Sequence, residues 1–559
     1  MKEMLRFLAM SPLLGFELLV ASFLINLLGL ASSLYVIQVL NRYVGSGVDA
    51  TLFTLTIGAI LAIGIEWWMR QLRRDLARSV VGRPMGRVAV GFFNALLGIK
   101  LAELLRLNSS SQREMLGHLS TVQRAYTPAT VVALLDLPFA GVFVAALVLI
   151  HPAIALLATG FLAFVFLISL VHQHRLTHPT LQVGQLSARH AALSASVLTT
   201  AESVRVFNGA HLMRNRWWEQ MVALHRDQTD LANRQEGIQT LTQAIGALMG
   251  VAVIGYGAKL ATFGQMDTGL LIGANILAGR AMAPLLRFAQ LVPQLAKARQ
   301  ALELLAQFSR LPLVKEEGTA LREFSGRVAL EMVGYAWPGA KGVLFESLSC
   351  IAEPGKLVAV VGSNGTGKTT LLRLLTGVLE PQRGKILIDG YNLSQLHPEW
   401  WHGQLLYLPQ EPLFLDATLR ENLTTLQPGL DDEALHALVD RVGLRRFLNE
   451  SEQGLELVIT EGGQRLSPGI RRRIALARAL VSDGKLVVLD EPLEGLDGEG
   501  RKLLLEMIKE WVTQGRTVVT ASHDAAMAQV ADLVIDLDAK PVPGVRVVSR
   551  APRIGGPIG

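Results

Sequence analysis

One cysteine, Cys350, stands in 559 residues. No disulfide can close within such a chain, and the residue reads as a small buried hydrophobe of a reducing compartment, not as a catalytic thiol. Charge is scarce as well. Asp, Glu, Lys and Arg together make 18% of the sequence while apolar residues make 50%, against roughly 25% charged residues in an ordinary soluble protein. The deficit excludes a wholly soluble chain. Because it is uneven along the sequence, it implies a membrane part joined to a soluble part. A cleavable signal peptide is not expected either. Residues 1–12 are lightly basic, but the apolar run after them is too long for a signal-peptide core and has no convincing cleavage site. That run reads as an uncleaved first membrane helix.

A spanning helix needs ~20 mostly apolar residues. Six segments qualify, at 16–40, 51–69, 129–150, 153–173, 240–262 and 268–292. His151-Pro152 makes a tight turn between the third and fourth, and Arg280, Pro284 and Arg287 interrupt the sixth. The stretch 70–127 carries ten Lys/Arg against three Asp/Glu, and 174–239 carries seven against five. The connectors near 41–50 and 263–267 carry little charge. A basic excess marks cytoplasmic connections, so both long connections and both chain ends lie inside. The net charge of +6 is then largely a matter of topology and loops facing anionic lipid, and no nucleic-acid partner is needed to explain it. Both long connections are poor in proline and carry apolar residues at helical spacing. They read as membrane helices continued into the cytoplasm, with tips near 107–118 and 200–212 that reach a cytoplasmic domain.

From about Gly326 the pattern changes. Short apolar runs (Leu357–Val361, Leu405–Leu408, Leu486–Leu489, Thr517–Ala521) alternate with helical runs, which indicates an α/β domain with a mainly parallel sheet. After the first of these runs comes Gly362-Ser363-Asn364-Gly365-Thr366-Gly367-Lys368-Thr369, followed by Thr370. The spacing is that of a phosphate-binding P-loop. Glycines let backbone N–H groups curl around phosphate oxygens, and the next helix points its positive end at them. Lys368 suits the β- and γ-phosphates of a nucleotide, and the Thr369 hydroxyl suits magnesium. Leu486-Val487-Val488-Leu489 ends in Asp490-Glu491. Two carboxylates at the C-terminal edge of a sheet strand are placed to hold the metal (Asp490) and to polarise an attacking water (Glu491). The expected fold is therefore a six-span α-helical transmembrane domain followed by an α/β P-loop ATPase domain. Its parts are 1–310 in the membrane with cytoplasmic extensions, a linker 311–325, a nucleotide-binding domain 326–540 and a loose Pro/Gly-rich tail 541–559.

At this point the chain resembles the ATP-binding cassette (ABC) transporters, in the style of the type I exporters. Leu466-Ser467-Pro468-Gly469-Ile470 lies where that family carries its L-S-G-G-Q signature. Gln410 in Leu408-Pro409-Gln410 matches the Q-loop, Asp497 the D-loop and His523 the switch histidine, while Trp337 stands where the family stacks an aromatic on adenine. The resemblance implies catalytic roles for Glu491, His523 and Gln410. It implies nucleotide contacts from Trp337, residues 362–370, Ser467, Gly469 and Asp497, and metal contacts from Thr369, Gln410 and Asp490. It implies ATP and Mg2+. It also implies a second half-transporter, since each ATP lies between the phosphate loop of one cassette and the signature of another. Arg471–Arg473 reads as a solvated helix face with no catalytic role.

Two departures bear on the pairing. Pro468 removes an N–H donor where a glycine is usual, and Ile470 replaces the usual glutamine. Leu493-Glu494-Gly495-Leu496-Asp497 is off pattern too. Ser467 and Gly469 survive, which favours a homodimer, with one half of a heterodimer as the alternative. In the membrane half, Asp136-Leu137-Pro138-Phe139, Glu202–Ala210 and Gly269–Leu285 resemble type I secretion exporters. That implies an inner-membrane, multi-pass pump with a cytoplasmic ATPase domain, exporting an unfolded polypeptide with a periplasmic adaptor and an outer-membrane channel. No peptidase-like domain precedes the first span, so leader cleavage is not expected. The alternatives are a lipid or small-amphiphile exporter on the same scaffold, or an ATP-gated regulator. Glu491 and His523 speak against the last. Asp136, Arg280 and Arg287 are expected at similar cytoplasm-leaning depths, either lining or locking the inward end of a path or forming a structural ion pair.

Overall fold

The computed structural model describes residues 12–44, 47–106, 109–315, 317–337, 339, 342–523 and 525–548. The chain divides into two compact units, one holding residues up to 98 with 107–311, the other holding 99–106 with the chain from 312 onward.

The first unit is helical. Six helical stretches are long and apolar enough to cross a membrane: Pro12–Tyr43, Asp49–Gly98, Pro128–Ile150, Pro152–His172, Ala210–Thr262 and Thr268–Phe308. Each contains or closely matches one of the six expected spans. Their starts follow local chemistry. Thr127 accepts the Thr130 N–H at 3.3 Å ahead of Pro128, and His151 Nδ1 accepts the Ala153 N–H at 3.2 Å ahead of Pro152; in both cases proline opens the helix, where its missing N–H costs nothing. The last helix lies close against the first: a Cβ on Gly273 would come within 2.2 Å of Ile37, so only glycine permits that approach.

Intramembrane charge is distributed differently from the expectation. Arg73, not anticipated, is buried and donates to Asp136 Oδ1 at 2.6 Å and to the Ser22 hydroxyl at 3.3 Å. Asn26 adds a 3.4 Å hydrogen bond to the same carboxylate oxygen, and Arg287 stands 3.9 Å from the other. Arg280 instead donates to the Ser32 hydroxyl at 2.7 Å. Four helical segments thus meet at one buried carboxylate.

The second unit is α/β. Its six-stranded sheet runs β12-β11-β3-β10-β9-β6, with β3 Leu357–Val361, β6 Leu405–Leu408, β9 Leu486–Asp490, β10 Thr517–Ala521, β11 Leu533–Asp536 and β12 Gly544–Val547. All pairs are parallel except β11 with β12. Both faces are covered, as a parallel sheet requires. Leu357, Ala359, Val487, Leu489 and Val518 enter one core, while Val358, Val360, Leu486, Val488 and Val519 enter the other. Strands β1 Val328–Tyr335, β2 Phe345–Ala352, β4 Arg383–Ile388 and β5 Tyr391–Asn392 make an antiparallel sheet in the order β2-β1-β4-β5, and the short β7 Ala417–Thr418 pairs antiparallel with β8 Val458–Ile459.

Two boundaries differ from the sequence reading. Residues 544–547, expected in a loose tail, form β12 and pair with β11. The first cytoplasmic tip, expected near 107–118, is replaced by an earlier break. The long helix ends at Gly98, and Leu101–Arg106 forms a short helix within the second unit. There Ile99 bridges Leu313, the Lys100 N–H donates to the Pro312 carbonyl at 3.1 Å, and the Lys100 ammonium contacts both Glu380 oxygens at 2.7 and 2.8 Å. Of the expected tip, residues 107–108 lie outside the described residues and 109–118 fall within the helix Ser109–Ala125 of the first unit. The second tip matches a short helix, Ala201–Val206, with the turn at 207–209 inside the expected range.

Candidate active site

The strand order explains the site. β3, β10, β9 and β6 are consecutive neighbours, so the segments leaving their C-terminal ends emerge side by side. Those segments carry Gly362, His523, Glu491 and Gln410.

After β3 the chain curls through Gly362, Gly365 and Gly367 at φ of 148°, 83° and 110° before the helix Lys368–Leu375. A Cβ on Gly367 would lie 2.6 Å from Leu344, whose N–H is bonded to the Tyr335 carbonyl at 2.8 Å. The end of β1 is thereby packed on the loop. Trp337, two residues on, sets its ring edge-on to Tyr335 at 5.4 Å. Ser363, Asn364 and Gly365 are exposed, and Thr370 is buried in the following helix. Two contacts absent from the sequence reading fix the loop from the segment after β11: the Ser363 N–H donates to Asp538 at 2.9 Å, and the Lys540 ammonium donates to the Thr366 carbonyl at 2.9 Å. The backbone and side chain of Ser363 beside it hold the Asp538 carboxyl below the usual carboxylate range.

Lys368 is 8% exposed. Its ammonium donates to the Gly362 carbonyl at 2.7 Å and stands 3.5 Å from Glu491 Oε1. Glu491 leaves β9 at φ 44°, a left-handed conformation that a non-glycine residue holds only when its surroundings impose it. Its N–H donates to the Ala521 carbonyl at 2.9 Å, and its Oε2 accepts from His523 Nδ1 at 2.9 Å and from the His523 N–H at 3.3 Å. One carboxylate thus joins the lysine of the loop to the histidine after β10.

Asp490 is fully buried, and neither carboxylate oxygen meets a donor at hydrogen-bonding geometry. Burial raises its carboxyl above the ordinary range, and the Thr369 hydroxyl facing it works in the opposite direction. A buried carboxylate with unfilled oxygens beside a hydroxyl is a donor set that fits a hard divalent cation such as magnesium. Gln410 turns its side-chain amide toward Glu494, donating at 3.2 Å.

Ser467, Gly469 and Asp497 stand apart from these contacts. Ser467 caps the helix Pro468–Leu480 by accepting the Ile470 N–H at 3.3 Å, with Pro468 as its first residue. The proline therefore favours the helix start even as it removes a donor. Asp497 caps the helix Gly498–Thr513 through the Gly500 N–H at 2.8 Å and pairs with Arg473 at 2.9 Å. Both cap helix N-termini, and their bonds are to Ile470, Gly500 and Arg473, not to Lys368 or Glu491. Contrary to the reading of 471–473 as a solvated face, Arg472 is 4% exposed. The helical period contained the signal, because 472 shares a face with the buried Ala475, Leu476 and Ala479.

Known proteins resemble this chain in sequence and in fold. Residues 345–494 match the ABC transporter family model. A leukotoxin translocation ATP-binding protein of Mannheimia glucosida is 25% identical over 527 residues, covering 93% of this chain and 74% of that protein. A toxin RTX-I translocation ATP-binding protein of Actinobacillus pleuropneumoniae is 24% identical, with the same coverage. In fold, the chain matches a bacterial Atm1-family ABC exporter with ATP bound at a TM-score of 0.81, with 19% identity and 94% of each chain covered. With six apolar helices in front of a segment that matches the ABC transporter family model, the chain has the fold of an ABC exporter and carries an ABC-type ATPase domain of the kind coupled to transport.

Proposed function

We propose that this half-exporter drives type I secretion of an unfolded polypeptide across a bacterial inner membrane, with its cassette in the cytoplasm. The observation that carries the reading is that likeness to toxin-translocation proteins runs through 93% of the chain, so it includes the membrane half as well as the cassette common to all such pumps. Asp136-Leu137-Pro138-Phe139, Glu202–Ala210 and Gly269–Leu285 are the membrane-half segments whose sequence resembles type I secretion exporters.

In this reading two cassettes close on two ATP molecules. The N–H groups of 362–370 cradle the phosphates, Lys368 supplies positive charge to the β- and γ-phosphates, and Trp337 stacks on adenine. Magnesium, where bound, would neutralise phosphate charge, and Thr369, Asp490 and Gln410 would hold it. Glu491 orients and polarises the attacking water. His523 bonds Glu491 through Nδ1, which leaves Nε2 as the nitrogen turned toward the γ-phosphate. Ser467, Gly469 and Asp497, displayed at helix N-termini, would meet the partner cassette's nucleotide, whether the partner is a second copy or a sister subunit. ATP that binds the closed pair better than the open one drives the switch in membrane access.

The test is reconstitution of the purified protein in lipid vesicles, with ATP turnover measured against added cargo, joined to crosslinking and mass spectrometry in native membranes. Stimulation by unfolded polypeptide together with a crosslinked periplasmic adaptor or outer-membrane channel supports the proposal. Stimulation by lipid or small amphiphiles, with no such partner, replaces it with the other exporter reading.

A further inference from the structure

Arg472 sits just over one turn beyond Ser467, inside the helix Pro468–Leu480. Its side chain points away from the displayed N-terminus and into the sheet edge. One nitrogen, Nη1, donates to the Pro409 carbonyl at 3.3 Å and to the Gln410 carbonyl; the other, Nη2, donates to the Asp490 carbonyl at 3.3 Å and to the Glu491 carbonyl. All four acceptors are main-chain oxygens. They belong to the ends of two neighbouring parallel strands, β6 and β9, at the points where those strands release Gln410 and Glu491. Burial works against the charge of this guanidinium, and the nearby carboxylates of Glu494, Asp490 and Glu491 favour it. A planar guanidinium offers paired donors in a fixed fork, and here each arm of the fork takes one strand end.

Glu491 is the residue whose backbone most needs such a clasp. Its φ of 44° is unfavourable for a side chain with a Cβ. It is held from the amide side by the bond to Ala521 and from the carbonyl side by Arg472. The direction of the carboxylate, toward Lys368 on one oxygen and His523 on the other, depends on that backbone.

We propose that Arg472 is a positioning residue for ATP hydrolysis, holding the Glu491 peptide in its left-handed turn and tying it to the Gln410 segment and to the helix that begins at Ser467. The inference rests on Glu491 as the residue that orients water. In this role Arg472 acts through main-chain carbonyls; it sets the register between the helix that faces the partner cassette and the two segments that face the γ-phosphate. A shift of that helix on cassette closure is then transmitted by one side chain to the carbonyls of Gln410 and Glu491 together.

The full-length protein in lipid vesicles is compared as parent, Arg472→Lys, Arg472→Met and Glu491→Gln, with turnover, affinity for a fluorescent ATP analogue and thermal unfolding measured for each. Methionine preserves apolar packing but removes every donor; lysine keeps charge and donors without the fork. The expected result for Arg472→Met is a fall in kcat of roughly ten-fold or more with ATP affinity within about two-fold of the parent, and partial recovery of kcat in Arg472→Lys. In the Glu491→Gln background, Arg472→Met is expected to add little further loss, since residues acting as one unit are not additive. Parental turnover in Arg472→Met overturns the proposal. So does a loss of ATP affinity and thermal stability that tracks the loss of turnover in both variants, which would mark a packing role alone. If Glu491→Gln itself hydrolyses ATP at the parental rate, the underlying assignment of Glu491 fails instead, and the two failures are told apart.

Discussion

The Lys368 ammonium lies 3.5 Å from Glu491 Oε1, with the two side chains 8% and 7% exposed. The residue suited to phosphate charge and the residue suited to water are therefore one contact apart. They should separate cleanly by substitution. Lys368→Ala is expected to lose ATP binding, whereas Glu491→Gln is expected to keep binding and to lose turnover by about 10²-fold or more. Titration with a fluorescent nucleotide and steady-state phosphate release measure the two halves. Undiminished turnover in Glu491→Gln would contradict the role given to it.

Ser467 is the N-cap of its helix and is also proposed to face the partner's nucleotide, and two substitutions pull these duties apart. Ser467→Ala should cost about 1 kcal/mol in stability and lower turnover. Ser467→Asp should retain the cap, since aspartate is as good an N-cap and complements the helix dipole, yet abolish turnover by placing a negative charge against the phosphate. Thermal unfolding beside ATPase rate reads both. Normal turnover in the aspartate variant would remove Ser467 from the composite site.

The buried pair of Arg73 and Asp136 should be sensitive to the loss of one partner and tolerant of the loss of both. Asp136→Asn is expected to lower stability by about 3–5 kcal/mol, because it leaves a buried cation without its counter-charge. The double variant Arg73→Met with Asp136→Leu should regain most of that. Unfolding temperature in detergent and transport in vesicles are the readouts. A double variant that is stable but does not transport would assign the charges to the transport path; one that transports normally would confine them to holding the four helical segments together.

Cys350, expected to be buried, is only half-buried, yet desolvation by its neighbours pushes its thiol up to about 12 from an ordinary 9.0. A raised value in the folded state means that its contribution to stability is complete below pH 9 and is lost as pH rises toward 12. The native thiol is accordingly expected to resist iodoacetamide at pH 8 and to react once the protein is unfolded by denaturant, measured by mass spectrometry. Rapid native labelling would show an accessible thiolate.

Much of this molecule is legible from order in the sequence because its signals are local. Runs such as Leu486–Leu489 are buried on both faces and read as strands. The glycine spacing of 362–367 fixes a phosphate loop, and the apolar lengths fix six spans. The convergence of Lys368, Glu491 and His523 was legible only through family resemblance, since the order of parallel strands is a three-dimensional fact. What stayed hidden was long-range. Arg73 meets Asp136 across 63 positions with no periodic cue to pair them. Asp538 reaches Ser363 across 175 positions. Arg472 was hidden differently: three arginines in a row suggest a wet surface, although the helical period already turned the middle one inward.

The small helix Leu101–Arg106 carries a practical consequence for anyone dissecting this protein. The second unit is assembled from two stretches of sequence separated by more than two hundred residues, with Ile99 only 5% exposed and Ala102 packed on the core that holds Trp401. A recombinant cassette cut at 312 would leave that apolar seat bare, inviting self-association. Supplying the missing strip as a fused or added peptide covering 97–106 should restore solubility, measured by size-exclusion chromatography, and a cassette that is equally soluble without it would show that the strip is dispensable.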